Sequence, residues 1–68
     1  MLEQIEKAFT YHAPINDQPQ RYGTIRGFAR DFATTIDGLC PDSREKHIAL
    51  TKLDEVVMWA NAAIARNE

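Results

Sequence analysis

The sequence predicts an all-α fold: a short N-terminal helix and a long antiparallel helical hairpin, assembled into an oligomer. Three observations predict it. Apolar residues recur at alternating spacings of three and four along two long stretches. Each stretch is preceded by an acid with Gln or Glu three residues further on, a helix-start signature. No strand pattern, internal repeat or low-complexity segment interrupts them.

Taken in order, residues 1–9 read as a two-turn amphipathic helix, with Leu2, Ile5 and Phe9 on one side. Two turns are marginal alone, so this helix must dock. Thr10 to Gln18 is a loop carrying Pro14, Asn16 and Asp17. The second helix is expected over 19–38. Asp17 and Gln20 supply a capping box, and Pro19 sits in the first turn, where its missing N–H costs nothing. Its apolar seam is Tyr22, Ile25, Ala29, Phe32, Ile36 and Leu39. Gly23 weakens the first turns by about 1 kcal/mol relative to Ala, and the helix ends near Gly38 because Pro41 restricts Cys40. The third helix is expected over 43–67, opened by Asp42 and Glu45. Its seam is Ala49, Leu53, Val56, Ala60 and Ala63, widened by Leu50, Val57 and Ile64. A tight turn between two long helices makes them antiparallel, which brings Asn61 and Arg66 close to Arg21 and Arg26.

The chain of 68 residues is read as one helical-hairpin domain, 1–68. A core this small needs a staple or a partner. The single cysteine, Cys40, forms no intrachain disulfide, and no Cys/His spacing resembles a zinc site. Oligomerisation is the remaining route. Met58 and Trp59 fall outside the main seam of the third helix. Either the N-terminal helix covers them or they form a subunit interface, where Met and aromatic residues are enriched.

Eight basic and ten acidic residues give a formal charge of −2, which argues against a general binder of duplex DNA or RNA. The N-terminus lacks the features of a signal peptide, and the most apolar stretch, residues 56–65, is too short to span a bilayer. A soluble intracellular protein is expected. Enzymatic readings find no support: no glycine-rich phosphate loop, no serine beside a histidine base and no metal cluster. No catalytic residue, metal or cofactor is expected.

Anion binding fits the residues better. Arg21, Arg26 and Arg30 fall within an acid-free run at the positive end of a helix, with Tyr11 and His12 just upstream. Arginine forks bind phosphate bidentately, and an adjacent aromatic ring can stack a base. The plainer alternative is a capped helix start with surface arginines and a tyrosine packed under the loop. A second candidate is the start of the third helix, with Ser43, Arg44 and Lys46, where an ordinary capped start is again the alternative.

The runs "LCPDSREKHIALTKLDEVVMWANAAIARN" (39–67), "FTYHAP" (9–14) and "DQPQRYGTIR" (17–26) resemble the phage anti-CBASS sponges. They also resemble the hairpin domain that those sponges share with Thoeris anti-defence sponges. The resemblance covers almost the whole chain. It implies compact helical oligomers, typically homohexamers, in the cytoplasm of an infected bacterium. Such proteins sequester cyclic oligonucleotide second messengers without cleaving them. Cyclic dinucleotides such as cyclic GMP-AMP lie between protomers, cyclic trinucleotides lie near a threefold axis in some members, and related sponges take glycocyclic ADP-ribose. Carried onto this chain, the base-stacking aromatic falls on Tyr11 and the cation on Arg26, helped by Arg21 or Arg30. Arg44 with Ser43 is the candidate for the trinucleotide-type pocket. The competing readings are a protein-interaction module acting through Met58 and Trp59, and a small nucleic-acid-binding hairpin.

Overall fold

The computed structural model describes residues 1–68 and is all-helical: α1 (Leu2–Phe9), α2 (Gln18–Leu39) and α3 (Arg44–Asn67). The hairpin of α2 and α3 is antiparallel, as contacts at its two ends show. At the closed end the Lys46 ammonium lies 2.9 Å from the Asp37 carboxylate and donates to the Asp37 carbonyl at 3.0 Å. At the open end the Arg21 guanidinium holds Glu68. α1 lies against α3.

The helix starts differ from the expected capping boxes. Asp17 is the N-cap of α2, but its side chain caps nothing. Pro19 offers no N–H, and with φ −89° and ψ 7° Asp17 lacks the extended backbone that aims a cap inward. Its carboxylate turns instead to Arg21 Nε, 3.3 Å away. Asn16 precedes it at φ 53°, a left-handed conformation that Asn tolerates. At α3 the cap is Ser43, one residue beyond Asp42. Its extended backbone lets Oγ accept from the Lys46 N–H at 3.1 Å, while Asp42 bonds the His47 ring at 2.9 Å. Ser43→Ala is therefore expected to lower stability by about 1 kcal/mol in chemical unfolding, and Asp42→Ala to change it far less.

The seam is rotated from the expected one. On α2 the half-buried residues include Tyr22, Ile25, Ala29, Ala33 and Ile36, while Phe32 and Leu39 are exposed. On α3 the half-buried line is Leu50, Leu53, Val57, Ala60 and Ile64, while Ala49, Val56 and Ala63 face outward. The residues expected to widen the seam form much of it. The chain carries two adjacent apolar stripes per helix, and one helix–helix contact covers only one of them.

No apolar side chain is fully buried in the protomer. The radius of gyration is 15.0 Å, against about 11 Å for a compact chain of this length. The molecule is a slab of 44 × 28 × 12 Å, about one helix thick. α1 does not cover Trp59, which is 68% exposed beside Met58 at 62%. Phe28, 74% exposed, and Phe32 form a second outward apolar ridge on α2. No helix is long and apolar enough to cross a membrane.

Candidate functional site

The end of α1, the start of the loop, the first turns of α2 and the last turns of α3 enclose a cleft of about 520 Å³. Its lining is Lys7, Ala8, Thr10, Tyr11, His12, Tyr22, Arg26, Asn61, Ala62, Ala65 and Arg66. Three of these are permanent cations and none is an acid. The antiparallel hairpin is what brings Arg66 to Arg26, and the docking of α1 adds Lys7.

Half of the unpaired arginines lie there. Among the eight basic residues, Arg21, Lys46 and Lys52 are ion-paired, and Lys7 donates to Asn67 Oδ1 at 3.3 Å. Arg26, Arg30, Arg44 and Arg66 have no acidic partner, and two of those four line the cleft. Arg26 Nη2 lies 3.7 Å from the position a Cβ on Gly23 would occupy, so the guanidinium lies back over the bare first turns of α2. Tyr11 is 85% exposed at the rim and therefore does not pack under the loop. Asn61, also in the lining, has a shielded Oδ1 without a hydrogen-bond partner.

Two of the arginines considered with this site lie elsewhere. Arg21 is outside the lining and committed to acids: Nη1 donates to Glu68 Oε2 at 2.8 Å, Nη2 to Glu68 Oε1, and Nε faces Asp17. These bonds raise the Arg21 pKa further above its ordinary value, the Glu68 hydrogen bond contributing most. Arg30 lies one turn beyond Arg26 and lines a separate groove with Ala33, Leu50, Leu53, Asp54 and Val57; Arg26 borders both. Sequence reasoning did not pick out Lys7, Tyr22 or Gln18. Lys7 carried only the weak signal of being polar at the end of a short helix, and Gln18 reads as an ordinary loop residue.

Glu68 reports on this end of the hairpin. The Arg21 hydrogen bond, then that from Gln18, hold its carboxyl down to about 2. A depressed carboxyl pKa stabilises the fold above the ordinary value of 4.5, and that contribution is lost as pH falls through about 2. The stability difference between wild type and Glu68→Gln is therefore expected to be constant near neutral pH and to vanish across this acid window, as unfolding at a series of pH values would show.

At the start of α3 a second cleft of about 710 Å³ is lined by Asp42, Ser43, Arg44, His47, Ile48, Thr51 and Lys52. It has more basic groups than acidic ones, but Asp42 occupies His47, Lys52 pairs with Glu55 at 3.1 Å, and the Ser43 hydroxyl is spent on the cap. Arg44 is its one unpaired cation. No three His, Cys, Asp or Glu side chains are grouped to hold a metal, and Cys40 is an exposed free thiol.

Fold and cleft together define a small all-helical hairpin with an acid-free cationic cleft rimmed by an aromatic residue. The chain belongs to the Acb2/Tad1 hairpin-domain family, matched over residues 1–65, the family of anti-CBASS and anti-Thoeris sponges. Neither the curated proteins nor the solved structures contain a significant match to it.

Proposed function

We propose that this protein sequesters cyclic oligonucleotide immune messengers, cyclic dinucleotides such as cyclic GMP-AMP foremost, and so blocks CBASS signalling in the host cytoplasm. The reading rests on one observation above all: two unpaired arginines, a lysine and an exposed tyrosine converge on one acid-free cleft in a chain of the sponge family. In this reading Tyr11 stacks a base, Arg26 takes a phosphate, and His12 and Arg66 supply further polar contacts. A cyclic dinucleotide has two phosphates and two flat bases, so it matches two copies of such a cleft brought face to face. The exposed ridges bearing Met58, Trp59 and Phe28 are the proposed contacts of a homo-oligomer, a hexamer by family analogy. The Ser43–Arg44 cleft is the weaker proposed place for a cyclic trinucleotide. Sequestration needs affinity and copy number and no reactive group.

The test is calorimetry of the purified protein against a panel of cyclic di- and trinucleotides, followed by heat release and chromatography of the bound ligand. Tight binding with the ligand recovered intact is the expected result. Degraded ligand would make the protein an enzyme. No binding to any member of the panel would leave the second reading, a protein-interaction module acting through the Met58–Trp59 face, which the exposure of both side chains favours.

A further inference from the structure

The one buried residue of the chain is polar. Gln18 is only 4% exposed, and it touches two places far apart in sequence. Its Oε1 accepts from the Ile15 N–H at 3.1 Å, and its Nε2 donates to Glu68 Oε1 at 3.2 Å. Glu68 is gripped at the same time by both terminal nitrogens of Arg21. The other side of the loop is tied to the neighbouring residue of α3, because Lys7 donates to Asn67. Segment 10–14, which carries Tyr11 and His12, thus runs between two ties, Lys7 to Asn67 before it and Ile15 through Gln18 to Glu68 after it. Neither Gln18 nor Glu68 lines the cleft.

We propose that Gln18, Glu68 and Arg21 form a latch whose role is to position the Tyr11–His12 loop over the cleft, making them positioning residues for ligand binding rather than ligand contacts. The inference rests on the sponge reading for its ligand and on geometry for its mechanism. An eight-residue loop between α1 and α2 can hold a stacking ring in place only if its own conformational freedom is already removed. A buried amide with both ends engaged removes it at Ile15. The bidentate Arg21–Glu68 pair in turn holds the carboxylate where Gln18 needs it.

The test uses the protein with Glu68→Ala, Gln18→Ala and the conservative variant Glu68→Gln. Two quantities are read: hydrogen exchange at the Ile15 amide without ligand, and affinity for cyclic GMP-AMP. Both alanine variants should speed Ile15 exchange and weaken binding about tenfold, mainly through faster dissociation, with the assembly unchanged in size. Glu68→Gln keeps an oxygen that can accept from Gln18 Nε2 and should recover much of both in comparison with Glu68→Ala. Rescue separates positioning from a general loss of stability. Unchanged Ile15 exchange in Glu68→Ala overturns the latch whether or not any ligand binds. Faster exchange with unaltered affinity overturns its positioning role. Failure of the wild type to bind cyclic GMP-AMP counts against the sponge reading, and the latch is then decided by Ile15 exchange and its rescue alone.

Discussion

Arg26→Ala is expected to lower affinity for cyclic GMP-AMP by about 100-fold while leaving the assembly at its wild-type mass. A hydrogen bond to a charged group contributes about 1.5–3 kcal/mol, and in the sponge reading a ligand with two phosphates would engage the residue from two copies. Each tenfold step corresponds to about 1.4 kcal/mol, so 100-fold is about 2.8 kcal/mol, near the top of the range for one such bond. Arg26 makes no ion pair in the protomer, so its removal strands no internal carboxylate, and its side chain is exposed rather than part of the seam. Arg26→Lys should retain part of the binding, because the charge persists and the planar fork is lost. Tyr11→Ala should cost about 1–3 kcal/mol per stacked base, again with no change in assembly. Titration calorimetry beside sedimentation measures both properties. Wild-type affinity in Arg26→Ala with an intact assembly would remove the cleft from consideration as the binding site.

The second large effect concerns assembly. Trp59→Asp is expected to convert the proposed oligomer to smaller species and to lower the thermal midpoint steeply, with helicity becoming concentration-dependent. The physical reason is the missing interior. A chain with no fully buried apolar side chain draws little hydrophobic stabilisation from its own packing. Burying one large apolar side chain contributes about 2 kcal/mol. A carboxylate in its place adds an uncompensated desolvation cost of several kcal/mol. Phe28→Asp on the other exposed ridge should act in the same direction. Sedimentation velocity across a concentration series distinguishes the outcomes. A Trp59→Asp protein with wild-type mass and midpoint would show that this face contacts no second copy, and would favour its use by a different partner.

Helix placement was largely legible in the sequence, because local chemistry sets it: Pro19 and Pro41 each mark a boundary, and the spacing of apolar residues does not fit a strand. The antiparallel hairpin followed from the short turn, and with it the approach of Arg66 to Arg26. Two things were not legible. Periodicity located apolar stripes on α2 and α3 but could not say which stripe meets the other helix, since Leu53–Val56–Ala60 and Leu53–Val57–Ala60 satisfy the same spacing rule. The fate of Arg21 also lay beyond reach. Near Asp17 and Pro19 it looks like a free cation at a helix start, and only a contact 47 residues away reveals that Glu68 occupies it. Gln18 is the same case at a separation of 50 residues. Long-range polar contacts between single residues leave no periodic trace.

The slab form has a consequence for dosage. A protein that removes messenger molecules one for one succeeds by outnumbering them, so what matters is how many sites a given amount of translation yields. A globular domain spends much of its chain on an interior that touches no ligand. A molecule 12 Å thick has almost no such interior, and here a complete cleft wall is made from 68 residues. In the sponge reading stability is completed by the proposed contacts between copies, and the same contacts multiply the sites.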